Sequence, residues 1–340
     1  MMARRTAASS YDERDVRVRP GRGSRPRSKL RPAHADATSG LVIAVDRGRY
    51  TCVVEPDGHI VTAMTARELG RKAVVVGDHV GLVGDASGRQ GSLARIVRVE
   101  ERSTVLRRSA DDDDPVERVI VANADQLMIV TAVADPEPRP RLIDRALVAA
   151  FDAGIEPLLC ITKADLADPA PLVATYAPLQ VPAVVARRTP GTEETDVREV
   201  AEHLRDHITV LIGHSGVGKS TLVNALVPGA DRATGRVNVV TGRGRHTSTS
   251  AVALALPGGG WVIDTPGIRS FGLAHVDADR LILAFPDLAA ETEDCPRGCS
   301  HADGAPECGL DTALAAGRID PDRLASYRRL LGSRDGQASD

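Results

Sequence analysis

The chain has 340 residues, a formal net charge of -3, 42% apolar and 26% charged residues, the balance of a soluble globular protein long enough for two or three domains. No apolar run approaches the roughly 20 residues of a membrane helix. The arginine-rich start lacks the apolar segment of a signal peptide, so a cytoplasmic protein with no membrane partner is expected. Aromatics are only 2%, so Val, Leu, Ile and Ala must build the core. Of the 5 cysteines, Cys52 and Cys160 stand alone in apolar runs and read as packing residues.

Residues 1–36 carry Arg4, Arg5, Arg14, Arg17, Arg19, Arg22, Arg25, Arg27, Lys29 and Arg31 among glycine, proline and serine. Such a segment has too little to bury and is expected to be a disordered basic tail. It suits an RNA phosphate backbone, or is simply a solvated extension. Residues 37–108 change to short β-rich runs at Leu41–Val45, Tyr50–Glu55, His59–Ala63, Ala73–Val76, His79–Val83 and Leu93–Val99, separated by turns such as Pro56-Asp57-Gly58 and Val76-Gly77-Asp78. The pattern predicts an OB-like β-barrel. With few aromatics to stack bases, RNA contact would fall to Arg67, Arg71, Lys72, Arg107 and Arg108; a purely structural barrel fits equally well.

Residues 109–274 read as an α/β domain after a polar linker at 109–117. Gln126–Val133 predicts a strand, Arg141–Ala153 a helix, and Glu156–Ile161, Val181–Val185 and Ile208–Ile212 further strands of a parallel sheet. The last runs into Gly213-His214-Ser215-Gly216-Val217-Gly218-Lys219-Ser220-Thr221, followed by the helical spacing of Leu222–Leu226. This is the G-x-x-x-x-G-K-[ST] phosphate loop, whose backbone N–H groups and helix N-terminus surround a phosphate. Lys219 would reach the terminal phosphates, and the Ser220 hydroxyl would supply an oxygen to Mg²⁺.

Thr162-Lys163-Ala164-Asp165 ends a strand, where an α/β sheet binds ligands. It matches the Asn-Lys-x-Asp guanine reader of GTPases except that Thr162 replaces Asn. Asp165 would take both N–H groups of guanine. Downstream, Trp261-Val262-Ile263 leads to Asp264-Thr265-Pro266-Gly267, where Asp264 would hold Mg²⁺ through water and the Gly267 N–H would meet the γ-phosphate. Between them Gly242–Thr249 stands where a switch should be, with Thr247 or Thr249 able to complete the Mg²⁺ shell. Base reader, phosphate loop, switch, then Asp-Thr-Pro-Gly is a rotation of the usual order. A circularly permuted GTPase domain is expected.

Residues 275–340 predict helices at Asp277–Ala284, Asp311–Ala316 and Pro321–Leu331. Cys295, Cys299, His301 and Cys308 supply three thiolates and an imidazole, a closed tetrahedral set for one structural Zn²⁺.

From Leu41 to Leu331 the chain resembles the ribosome small-subunit-dependent GTPase A family. The resemblance rests on Gly213–Thr221, Gly244-Arg245-His246-Thr247, Asp264-Thr265-Pro266-Gly267-Ile268-Arg269 and the Cys295, Cys299, His301, Cys308 set. It implies GTP hydrolysis stimulated by the small ribosomal subunit, binding to its 16S rRNA, and late maturation work that includes release of assembly factors. The family's Ser-Ala pair behind guanine falls at Val185-Ala186, so that serine is absent. Ile268 stands where many GTPases carry a water-orienting Gln, so intrinsic turnover should be slow, and His246 is the candidate to orient the water. Two rival readings are a nucleotide-regulated RNA-binding scaffold without turnover and an ATP-using phosphotransferase; Asp165 argues against the second. A monomer is the default expectation.

Overall fold

The structure, a computed structural model, describes residues 34–69, 74–108, 118–188, 195–230, 251–265, 273 and 276–334. Five strands come first: β1 (Thr38–Asp46), β2 (Arg49–Val54), β3 (Ile60–Thr65), β4 (His79–Gly84) and β5 (Ala94–Val99). They pair in the order β1-β2-β3-β5-β4, and β4 returns to β1, closing a barrel. β3 and β5 run parallel while the other barrel neighbours are antiparallel. Alternate residues face inward, so Val42, Cys52, Val54, Val61, Ala63, Val80, Leu82, Ala94 and Ile96 fill the interior. Burial pushes the Cys52 thiol up to about 12, as an inert packing residue requires.

The strand expected at Ala73–Val76 is absent over 74–76, and residue 73 lies outside the described residues. Asp78 is the cause. Its carboxylate accepts the Val75 N–H at 2.8 Å and binds Arg102 at 2.7 Å, so a side chain takes a donor that a ladder would have used. Gly77 follows at φ +90°, where an added Cβ would stand 2.0 Å from the Ala122 carbonyl oxygen.

β6 (Val105–Arg108) and β7 (Arg118–Ala122) form a separate antiparallel pair. Arg107 and Arg108 therefore stand outside the barrel sheet, and the linker expected at 109–117 connects these two strands outside the described residues.

The remaining chain alternates: β8 (Gln126–Ala132), α1 (Pro140–Ala153), β9 (Glu156–Thr162), α2 (Ala170–Tyr176), β10 (Ala183–Val185), the short pair β11 (Arg187–Arg188) and β12 (Thr195–Asp196), α3 (Arg198–His203), β13 (Ile208–Ile212), α4 (Lys219–Leu226), β14 (Val252–Ala255) and β15 (Trp261–Asp264). The parallel order is β10-β9-β8-β13-β15, with β14 antiparallel on β15. All seven residues of β8 are buried, as a strand covered on both faces must be. One face packs on α1 through Ile143, Ala146 and Leu147, and the other on α3 and α4 through Val200, Leu222, Val223 and Leu226.

Barrel and parallel sheet are one continuous ladder, because Ala44 of β1 pairs with Val252 of β14. A bulge between Val42 and Ala44 re-aims the strand there. Val42 then faces the barrel interior, whereas Ala44 joins the cluster around α4.

The C-terminal region has short helices at Ala278–Leu281, Pro286–Ala289 and Gly309–Ala315, and a long one at Pro321–Arg334. The expected helix Asp277–Ala284 is thus α-helical only to Leu281 and ends as a 3₁₀ turn over Ile282–Ala284. Leu281, Phe285, Leu288, Leu310, Tyr327 and Leu330 belong to the same buried cluster as Ile143 and Leu147 of α1. Phe285 makes edge contacts with Phe151 at 5.1 Å and Tyr327 at 5.3 Å. Arg329 reaches the buried Asp144 of α1 at 3.1 Å, and Arg145 Nη1 donates to the Ser333 carbonyl at 2.9 Å. No helix among the described residues is long and apolar enough to cross a membrane.

Candidate nucleotide site and metal centre

The parallel strands β8, β9, β13 and β15 end at one edge, and the chemistry-bearing loops begin there. β13 passes straight into the phosphate loop. Gly213 leaves the sheet so close to β8 that a Cβ would stand 2.5 Å from the Val130 carbonyl oxygen. Gly216 and Gly218 follow with φ of +88° and +89°, the left-handed region that only glycine enters freely, and Gly218 caps α4. Val217 is buried, while Ser215, Ser220 and Thr221 are exposed to the site. His214 points inward. Its Nδ1–H donates to the Ser215 carbonyl at 3.0 Å, its Nε2 is buried without a partner, and burial holds the imidazole below its ordinary pKa.

The base-reading segment stands beside this loop. Thr162 Oγ1 lies 2.5 Å from the Val217 carbonyl oxygen and 3.2 Å from that of Thr131, so the hydroxyl ties the end of β9 to the phosphate loop. Lys163 has φ +56° and its Nζ donates to the Asp135 carbonyl. Asp165 follows in an exposed turn. Val185-Ala186 flanks it, since the Ala186 N–H donates to the Ile161 carbonyl at 2.8 Å.

Asp264 ends β15 next to Leu211 of β13, and the Thr265 hydroxyl donates to the Leu211 carbonyl at 2.6 Å. Lys219 Nζ contacts Asp264 Oδ1. Two of the groups expected to meet phosphate and Mg²⁺ are therefore side by side. His246, Thr247, Thr249 and Gly267 lie outside the described residues.

In the C-terminal region the Sγ atoms of Cys295, Cys299 and Cys308 and a ring nitrogen of His301 all lie within 4.8 Å of one another. His301 Nδ1 is 3.7 Å from Cys295 Sγ and 3.8 Å from Cys308 Sγ. Zn–S and Zn–N bonds of about 2.3 and 2.0 Å in a tetrahedron place such atoms about 3.5 Å apart. The Gly309 N–H donates to Cys295 Sγ at 3.1 Å, and Arg328 Nε donates to the His301 carbonyl at 3.2 Å, which orients the loop around the ligands. Gly309 is required there, because a Cβ would stand 2.5 Å from the Glu291 carbonyl oxygen. Burial holds His301 below its ordinary pKa, favouring the neutral imidazole a metal needs.

The family model described as RsgA GTPase matches residues 99–274. The small ribosomal subunit biogenesis GTPase RsgA of Azotobacter vinelandii is 42% identical over 308 residues, 87% of this chain and 85% of that one. The chain belongs to the RsgA GTPase family. YjeQ from Thermotoga maritima shares the fold with a TM-score of 0.63 at 27% identity, covering 88% of this chain and 99% of its own. YloQ, described as a circularly permuted GTPase, gives a TM-score of 0.62 at 22% identity over 92% and 100% of the two chains.

As a member of the RsgA family the protein is a GTP hydrolase with a circularly permuted GTPase fold, an N-terminal barrel and a helical C-terminal region. The donor set at Cys295, Cys299, His301 and Cys308 fits one zinc ion, with all four positions filled by protein and none left for catalysis. The nucleotide of such a GTPase carries Mg²⁺. The structure brings the phosphate loop, Thr162–Asp165 and Asp264 to one edge of the sheet, as their places at strand ends led one to expect. Sequence reasoning missed the bond from Thr162 to Val217 and the join between β1 and β14, because neither leaves a motif.

Proposed function

We propose that this protein is a ribosome-triggered GTPase that binds the small ribosomal subunit through its 16S rRNA, acts in the cytoplasm in late subunit maturation and release of assembly factors, and works as a monomer. The observation that carries the reading is the convergence of Gly213–Thr221, Thr162–Asp165 and Asp264 on one edge of a sheet that is continuous with the barrel. Relatives named as small ribosomal subunit biogenesis GTPases support the ribosomal partner. In this reading Asp165 selects guanine, the loop amides and Lys219 hold the phosphates, and Ser220 with Asp264 holds Mg²⁺. The ion would neutralise charge between the β- and γ-phosphates. Gly267 would meet the γ-phosphate, Thr247 or Thr249 would close the Mg²⁺ shell, and His246 would orient the water.

The proposed division is a basic tail at 1–36, a barrel at 37–108, the GTPase domain at 109–274 and the zinc-binding helical domain at 275–340. The barrel offers RNA a defined face. Arg49 of β2, Met64 of β3 and Arg95 of β5 are register neighbours on its outer surface, and all three are exposed. Arg47 and Arg67 stand nearby in sequence, and none of these four arginines has a partner among the described residues.

The test is GTP hydrolysis with and without purified small ribosomal subunits, with Asp165→Asn as the specificity control. Stimulation of tenfold or more, about 1.4 kcal/mol off the barrier, lost in the control, is the expected outcome. Equal rates with and without subunits would sink the ribosomal trigger, and unchanged guanine preference in the control would sink the role of Asp165.

A further inference from the structure

Ala44, Val252 and Asp264 form one row across three strands, β1, β14 and β15. Residues paired across antiparallel strands project to the same face with Cβ atoms about 5 Å apart. Alternation along β15 agrees: Val262 belongs to the cluster around α4 while Ile263 belongs to the opposite one, so Asp264 stands on the α4 side at the strand's end. Val252 and Ala44 belong to that same cluster, with Leu222, Val223 and Leu226 of α4, and are 7% and 4% exposed. Asp264 therefore has Val252 as its cross-strand neighbour, while Lys219 contacts its carboxylate. Ala44 stands directly behind Val252.

The bulge in β1 makes this possible. With Val42 aimed into the barrel, uninterrupted alternation would aim Ala44 there too; the bulge between them turns Ala44 onto the α4 side. Ala44 is 4% exposed there and shares its cluster with Val252, Leu254 and α4, so a larger side chain must displace a neighbour.

We propose that Ala44 and Val252 are positioning residues for GTP hydrolysis: packed in a row behind Asp264, they hold its carboxylate at the Mg²⁺ station, and through them the barrel wall forms part of the reaction centre. The inference rests on the assignment of Asp264 to Mg²⁺. Neither residue touches nucleotide. Each acts by fixing the side-chain direction of Asp264, so what should change is the demand for Mg²⁺ rather than the grip on the nucleotide itself.

The experiment uses the full chain and reads the Mg²⁺ concentration for half-maximal GTP hydrolysis, the kcat, the affinity for a fluorescent GDP analogue without Mg²⁺, and the thermal midpoint. Ala44→Leu, which pushes Val252 toward Asp264, is expected to raise the Mg²⁺ requirement fivefold or more and to lower kcat about tenfold. Mg²⁺-free GDP affinity should stay within twofold of the parent. Should Ala44→Leu fail to fold, Val252→Ala loosens the same flank and should shift the curve in the same direction. An unchanged Mg²⁺ curve in folded Ala44→Leu or Val252→Ala protein overturns the proposal, as does an equal loss of Mg²⁺-free GDP affinity, which marks general damage. Asp264→Asn separates the two levels: if it too leaves the Mg²⁺ curve unchanged, the assignment of Asp264 fails first.

Discussion

The two sites of this protein are built in opposite ways. All four ligands of the zinc centre come from one stretch, Cys295 to Cys308, and are brought within 4.8 Å of one another by a local loop. The proposed nucleotide site takes Thr162–Asp165 from the end of β9, the phosphate loop from the end of β13 and Asp264 from the end of β15. Its geometry belongs to the sheet register, and no local loop could supply it. A local site should therefore fail with its loop and take its neighbours with it. A composite site should lose function one contact at a time while the fold stands.

The largest effect should come from removing zinc. Structural zinc contributes apparent binding free energies on the order of 10 kcal/mol to the fold it closes. The helices it anchors share a buried cluster with α1, through Phe285, Leu310 and Tyr327 against Ile143 and Leu147. Cys308→Ser, or chelation, is expected to lower the thermal midpoint by about 10 °C or more, since each kcal/mol shifts a domain of this size by about 2–4 °C. Lys219→Ala should leave the midpoint near that of the parent while abolishing hydrolysis. A Cys308→Ser protein that melts with the parent would show that packing on α1 alone holds these helices, and the contrast between the two sites would collapse.

Within the composite site the informative contact is Thr162 to Val217. The hydroxyl is 2.5 Å from the carbonyl oxygen of a buried loop residue, so Thr162→Val leaves a buried acceptor unpaired at a cost of about 1–3 kcal/mol. Part of that cost appears as loosening of the phosphate loop. Affinity for a fluorescent GDP analogue is expected to fall about tenfold, with the thermal midpoint moving by a few degrees at most. Thr162→Asn, which keeps a donor, should bind at least as well as Thr162→Val in every condition. If the valine variant binds nucleotide as tightly as the parent, the loop holds its shape without help from β9.

What could be read in the sequence divides along the same line. The candidate zinc ligands are contiguous, as are the phosphate loop and the strand before it, so spacing is enough to single them out in the sequence; the structure then gathers the four ligand atoms and sets the loop between strand and helix. The barrel followed from short alternating runs, because inward and outward residues differ visibly in β2 and β3. The error at Ala73–Val76 has a single source: Asp78 takes the backbone donor of Val75, and a side-chain competitor of that kind looks like a turn residue in sequence. The β6–β7 pair was hidden because its strands are short and flank a polar stretch. Register is the deeper limit. Nothing in the neighbourhood of Ala44 announces that it will pair with Val252, more than two hundred positions away, yet that pair decides where the barrel meets the GTPase sheet.

The smallest predicted effect tests whether RNA contact also belongs to register. Closeness along the chain favours pairs such as Arg71 with Lys72 and Arg107 with Arg108. The fold instead aligns Arg49 and Arg95 on either side of Met64, about 10 Å apart across one intervening strand. An apolar side chain between two guanidiniums that have no partner among the described residues offers a base a surface and its phosphates two charges. For single-stranded RNA each lost phosphate contact reduces the salt slope by about 0.7. Arg49→Ala and Arg95→Ala should each weaken binding of a single-stranded RNA about threefold to tenfold at low salt and lower that slope, with GTP hydrolysis in the absence of RNA unchanged. Arg107→Ala, outside the barrel sheet, should change RNA affinity less. The reverse ranking would mean that the polyanion follows the β6–β7 pair rather than the barrel, and that charge close together in sequence was the better guide.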